Sequence, residues 1–207
     1  SLVIRVTGAS IVDRAFKGCI SLCCLAIHAK IVIPDGVTSI GDCAFYDCSS
    51  LTDIVIPDGV TSIEDCAFNA CYSLCSVVIP DSVTSIGDCA FSGCSSLTDI
   101  VIPNSVTSIG ESAFRGCSSL SNLVIPDGVT SIGDYALRGC RSLKSLVIPN
   151  SVTSIEESAF YCCESLSNVV VPDCVAGIVD RVFTYSSLSS LVIRVTGASI
   201  VDRAFKG

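Results

Sequence analysis

Cysteines and carboxylates are the side chains of this sequence whose type and spacing could do chemistry. The 207-residue chain holds 15 cysteines, an odd number that leaves at least one thiol unpaired or bonded outside the chain. Cys19, Cys48, Cys71, Cys94, Cys117, Cys140 and Cys163 recur at one place in a repeating pattern, three residues after a Phe or Leu. Periodicity points them inward. A metal or disulfide ladder is the chemical reading of that row; a small buried hydrophobe is the structural one, and we favour it. A second row, Cys43, Cys66 and Cys89, falls on successive repeats and could pair or stay reduced. Cys23, Cys24, Cys75 and Cys174 break the pattern and are the candidate cross-links. Zinc is not expected, because there is no C-x-x-C motif and His28 is the only histidine.

Acidic residues recur at Asp42, Asp65, Asp88, Glu111, Asp134, Glu157 and Asp180. On stacked coils they would stand about 4.8 Å apart, one strand spacing. Calcium bridging between coils is one reading; favourable charge at the start of a short helical turn, with solubility, is the preferred one. A further row, including Asp35, Asp58, Asp81 and Asn104, follows the prolines and reads as turn chemistry. A catalytic site would break the repeat, and these rows obey it. One histidine supports no Ser-His-Asp or Cys-His pair, and Gly41, Gly87, Gly110 and Gly133 are repeat positions rather than a phosphate loop. No enzyme activity and no cofactor are expected.

The elements that position these rows follow from the prolines. Pro34, Pro57, Pro80, Pro103, Pro126, Pro149 and Pro172 are all the prolines present, each 23 residues from the next. In the unit from Leu51 to Ser73 the apolar positions are Leu51, Ile54, Ile56, Val60, Ile63, Ala67, Phe68 and Cys71. Each coil is expected to supply one strand that ends at proline, which cannot donate to the next ladder bond. An Asp-Gly or Asn-Ser turn comes next, then a short extended Val-Thr-Ser-Ile piece, then a helical or 3₁₀ turn carrying Phe and Cys inward. No unit buries this face alone; stacked neighbours do.

The period deviates near both ends, being 29 between Leu2 and Ile31 and 22 between Val169 and Leu191. The longer interval implies six extra residues around Leu22–Lys30. Residues 1–18 reappear letter for letter as 190–207, an offset of 189. The expectation is a single solenoid over 1–207, regular over about 31–187 and degenerate over 1–30 and 188–207, which reads as one period of something that continues.

The stretch IPDGVTSIGDCAFYDCSSL (Ile33–Leu51) closely resembles the BspA-like class of leucine-rich repeats, marked by I-P-x-x-V-x-x-I-x-x-x-A-F-x-x-C-x-x-L. The resemblance implies a mainly β, right-handed leucine-rich-repeat solenoid. It also implies an extracellular or cell-surface location and a tie to adhesion, but no particular partner and no catalytic residues.

Composition sets outer limits. Half the residues are hydrophobic and the mean hydropathy is +0.69, yet no stretch has the eighteen or so unbroken apolar residues of a membrane span. A net charge of −8 argues against a nucleic-acid partner. The strand position between two inward residues is almost always valine: Val32, Val55, Val78, Val101, Val124, Val147 and Val170. Alternation turns these outward, making a candidate packing or partner stripe; β-propensity alone is the competing explanation. A threonine row (Thr38, Thr61, Thr84, Thr107, Thr130, Thr153) raises ice binding or O-glycosylation as distant alternatives. Three functions are therefore expected in order. The first is an extracellular structural repeat protein, a segment of an end-to-end polymer or filament whose partner is itself. The second is a surface adhesin or ligand-binding module for a host or matrix protein. Its partner would be sought at the varied row Tyr46, Asn69, Ser92, Arg115, Arg138 and Tyr161. An ice-binding or glycan-carrying solenoid comes last.

Overall fold

A computed structural model of the chain describes residues 2–3, 10–19, 31–193, 199–201 and 203–205. Cys23, Cys24 and His28, and most of the two identical end segments, lie outside the described residues.

Every coil places two short strands on two walls. One wall carries Leu2–Val3, Ile31–Val32, Asp53–Val55, Ser76–Val78, Asp99–Val101 and Asn122–Val124, paired in that order. Ser145–Val147 packs beside Asn122–Val124, and Asn168–Val171 and Ser190–Ile193 continue the stack. The other wall runs from Ser10–Ile11 through Ser39–Ile40 and its equivalents to Ser154–Ile155, with Gly177–Ile178 and Ser199–Ile200 pairing beyond. All pairings are parallel and in repeat register, such as Asp53 with Ser76, Ile54 with Val77 and Val55 with Val78. The irregular intervals preserve that register: Leu2 pairs with Ile31 and Val169 with Leu191.

The third side differs from the helical or 3₁₀ turn expected. Among the described residues there is no helix; residues 42–47 and their equivalents form a run of tight turns. Two positions per coil take positive φ. The first is Arg14 (60°), Cys43 (53°), Cys66 (55°), Cys89 (54°), Ser112 (55°), Tyr135 (56°), Ser158 (54°) and Arg181 (56°). The second, four residues on, includes Asp47, Ala70, Gly93, Gly116, Gly139 and Cys162. Alternate amides therefore point along the solenoid axis. The N–H groups of Cys43, Phe45 and Asp47 donate to the carbonyls of Asp65, Ala67 and Asn69 in the next coil, at 2.8, 2.7 and 2.8 Å. Those of Ala44, Tyr46 and Cys48 bond three residues back within the coil. A helix would keep every amide inside its own coil and leave this side of the stack without a ladder.

Isoleucine, leucine and valine from both walls meet the alanines, phenylalanines and cysteines of the turn side in one core. The phenylalanines stack face to face from Phe16 through Phe45, Phe68 and Phe91 to Phe114, centroids 5.1 to 5.6 Å apart. Leu137 interrupts the column, which resumes at Phe160 and Phe183.

Candidate interaction surfaces

The inward cysteine row is buried, and its thiols are occupied. Sγ of Cys71, Cys94, Cys117 and Cys140 donates to the carbonyls of Phe45, Phe68, Phe91 and Phe114 in the preceding coil, at 3.1 to 3.2 Å. Burial first, and the neighbouring thiols next, hold Cys94, Cys117 and Cys140 protonated well above the ordinary thiol range. Burial likewise pushes Cys163 up to about 12. The row is packing with one weak hydrogen bond per coil. Cys43, Cys66 and Cys89 stack on the left-handed positions as half-buried free thiols. Burial, the charges of Cys89 and Cys43, and hydrogen bonding to both push the Cys66 thiol up to about 12. Cys75 is an exposed thiol donating to Ser73 O at 3.2 Å, and Cys174 donates to Asn150 O and Val152 O at 2.9 and 3.2 Å.

The acidic row links coils. Oδ1 of Asp13, Asp65, Asp88 and Asp134 accepts the backbone N–H of Asp42, Asp88, Glu111 and Glu157, at 3.1, 2.7, 2.7 and 2.8 Å. Gly87 makes room for this: a Cβ there would meet Asp65 Oδ1 at 2.5 Å and Asp65 N at 2.8 Å. These carboxylates complete the backbone ladder where a helical N-terminus was expected. Among the described residues no group of three or more His, Cys, Asp or Glu side chains could hold a metal ion. The threonine hydroxyls are also engaged, with Thr61 Oγ1 donating to Thr38 O at 3.2 Å and Thr84 Oγ1 to Thr61 O at 3.1 Å.

Two surfaces combine exposure with a distinct chemical character. The first is the valine stripe, in direct cross-strand register from Val32 through Val55, Val78 and Val101 to Val124, and again from Val147 to Val170. Exposure rises from 39% at Val55 to 77% at Val101, stays at 66% and 69% at Val124 and Val147, and falls off at half-buried Val170. The second is a cleft of about 380 Å³ on the turn side, lined by Arg115, Gly116, Ser118, Arg138, Gly139, Arg141 and Cys162. The Arg138 guanidinium lies 4.8 Å from the Tyr161 ring and 5.5 Å from that of Tyr135. Arg115 and Arg138 fall in the row where variation was anticipated; the repeat reading overlooked Arg141. One signal was available: between residues 31 and 180 the only cationic residues are Arg115, Arg138, Arg141 and Lys144.

Parallel rungs at a 23-residue spacing around a stacked apolar column define a leucine-rich-repeat solenoid. The chain belongs to the BspA type leucine rich repeat region family, which it matches in 6 copies over residues 9–130 and 90–207. It is similar to a leucine-rich repeat protein from Bacteroides ovatus, with 34% identity and a TM-score of 0.83, over 90% of this chain and 49% of that one. A leucine rich repeat protein from T. pallidum matches at 36% identity and a TM-score of 0.71, over 80% of this chain and 77% of the other. One from Eubacterium ventriosum matches at 25% and 0.60, over 80% and 53%. This chain thus spans about half the length of the Bacteroides ovatus protein. Comparison with curated proteins finds no match.

Proposed function

We propose that this chain is a non-enzymatic structural module of an extracellular or cell-surface repeat protein, which associates with further copies of itself. The observation that carries the reading is the valine stripe. A receptor face that reads a ligand varies from coil to coil, whereas this one repeats the same exposed apolar side chain. A row of identical residues in cross-strand register is self-complementary, the property that an interface between like subunits needs. Contiguous exposed apolar surface of this kind marks association rather than solvent exposure. The coil sequence recurring at an offset of 189 supports stacking along the axis as well.

Sedimentation velocity and electron microscopy of the intact chain test this. Concentration-dependent association or fibres are expected, and Val78→Arg with Val124→Arg, exposed and two coils apart, should abolish them while leaving a cooperatively folded monomer. A monomer at all concentrations, or assembly indifferent to the double variant, would sink the reading.

A second reading, recognition of a foreign partner, is favoured by the arginine cleft. It is the one place where cations gather on an otherwise acidic run of coils, and it breaks the repeat as a binding site would.

A further inference from the structure

We propose that the cleft formed by Arg115, Arg138 and Arg141 binds the sulfate or carboxylate groups of an acidic saccharide. The inference rests on the recognition reading above and is independent of association through the valines.

Arg115 and Arg138 occupy the same position in successive coils, so their backbones stand one strand spacing, about 4.8 Å, apart. Arg141 joins them from the next turn of its own coil, and all three line one cleft. Guanidinium groups present fork-shaped donor pairs that match the planar edge of a carboxylate and two oxygens of a sulfate. The carboxylates that face the cleft are few. Glu164 pairs with Arg141 at 3.3 Å, and among the described residues Arg115 and Arg138 have no ion-pair partner. Arg138 is held instead over the faces of Tyr161 and Tyr135, which fixes its head group without neutralising it.

The surroundings select the ligand class. The chain carries a net charge of −8, and carboxylates recur along the coils on either side of the cleft. A nucleic acid strand, with a phosphate at every nucleotide, would drive part of its charge against them. A saccharide spaces its acidic groups with neutral rings, so one group can sit among the arginines while its neighbours stay clear. Tyr185, exposed and packed edge to face at 5.4 Å on the Tyr161 that Arg138 covers, offers an amphipathic ring against which a sugar can lie.

The test is calorimetric titration of the intact chain with a heparin-derived oligosaccharide, an oligogalacturonate, a neutral dextran oligomer and a single-stranded DNA, at low and high salt. Binding of the sulfated or the carboxylated probe at low salt, weakened by salt, is expected, and which of the two binds identifies the acidic group. Arg115→Gln, at an exposed position, and the double change with Arg138→Gln should each weaken it, the double variant on the order of ten-fold or more. Unchanged unfolding of both variants separates lost binding from lost fold. Failure of both acidic saccharides to bind, equal binding of DNA, or affinity indifferent to the arginine changes would overturn the proposal. The valine variants are expected to leave it untouched, so failure of either reading is visible without the other.

Discussion

At the scale of single residues the unusual feature is the left-handed backbone at side-chain-bearing positions. A residue with a Cβ at positive φ carries a cost of about 1–2 kcal/mol, and here it recurs from coil to coil. The alternation it permits turns every second amide toward the next coil, and that ladder offsets the local strain. Cys66, at φ 55°, makes the argument testable. Cys66→Val places a β-branched residue in the left-handed region and is expected to lower stability by about 1–2 kcal/mol. Cys66→Gly relieves the conformation but frees the unfolded chain, so its change stays within about 1 kcal/mol. Equal losses in thermal unfolding would mean that the thiol stack, rather than the backbone, matters at this position. None of this was legible in the letters, because Cys, Ser, Tyr and Arg share the position and none advertises a positive φ. The acidic row was legible as a row. Its bonding to backbone amides was not, since that depends on how closely one coil lies on the next.

At the scale of elements the coil is the unit, and its two strand walls were readable from period and proline alone. Alternation correctly divided each strand, as Ile54 is buried and Val55 exposed. The turn side was misread as helical, because an acidic residue before Ala-Phe fits a helix start as well as it fits a turn that hands its amides to a neighbour. The phenylalanine column holds this side together. Phe91 is fully buried between Phe68 and Phe114, at 5.3 and 5.6 Å. Phe91→Ala is expected to leave a cavity that stacked coils cannot close, at a cost of roughly 3 kcal/mol. Chemical denaturation reads it directly, and an unchanged midpoint would contradict the ring's place in the column.

At the scale of the molecule the buried thiols make stability depend on alkaline pH. Below about pH 9 the folded and unfolded chains both keep the protons of Cys94, Cys117, Cys140 and Cys163, so these groups contribute no pH dependence. Above it the unfolded chain loses protons that burial makes the folded chain retain. The unfolded state then binds fewer protons, and stability falls as pH rises, through about 12 for Cys163. Each buried thiol removes about 1.4 kcal/mol per pH unit in that window. Thermal unfolding under reducing conditions should show a Tm that these thiols leave level up to about pH 9 and a clear fall between about pH 9 and about pH 11, smaller in Cys117→Ala. A flat profile would mean that water reaches the row.

The sequence by itself determined the solenoid, its 23-residue coil, the inward and outward faces of each strand and the family, because a repeated pattern of apolar spacing admits one way of stacking. It also carried the valine stripe, since alternation along a strand is a local property. Only the tertiary structure decided what lies between coils: the alternating left-handed turns, the carboxylates on backbone amides, the thiols on phenylalanine carbonyls. Only there do Arg115, Arg138 and Arg141 share a cleft. Apart from Arg138 and Arg141, three positions apart in one coil, these join residues 20 or more positions apart across a few ångströms, and their geometry is set by how one coil rests on the next.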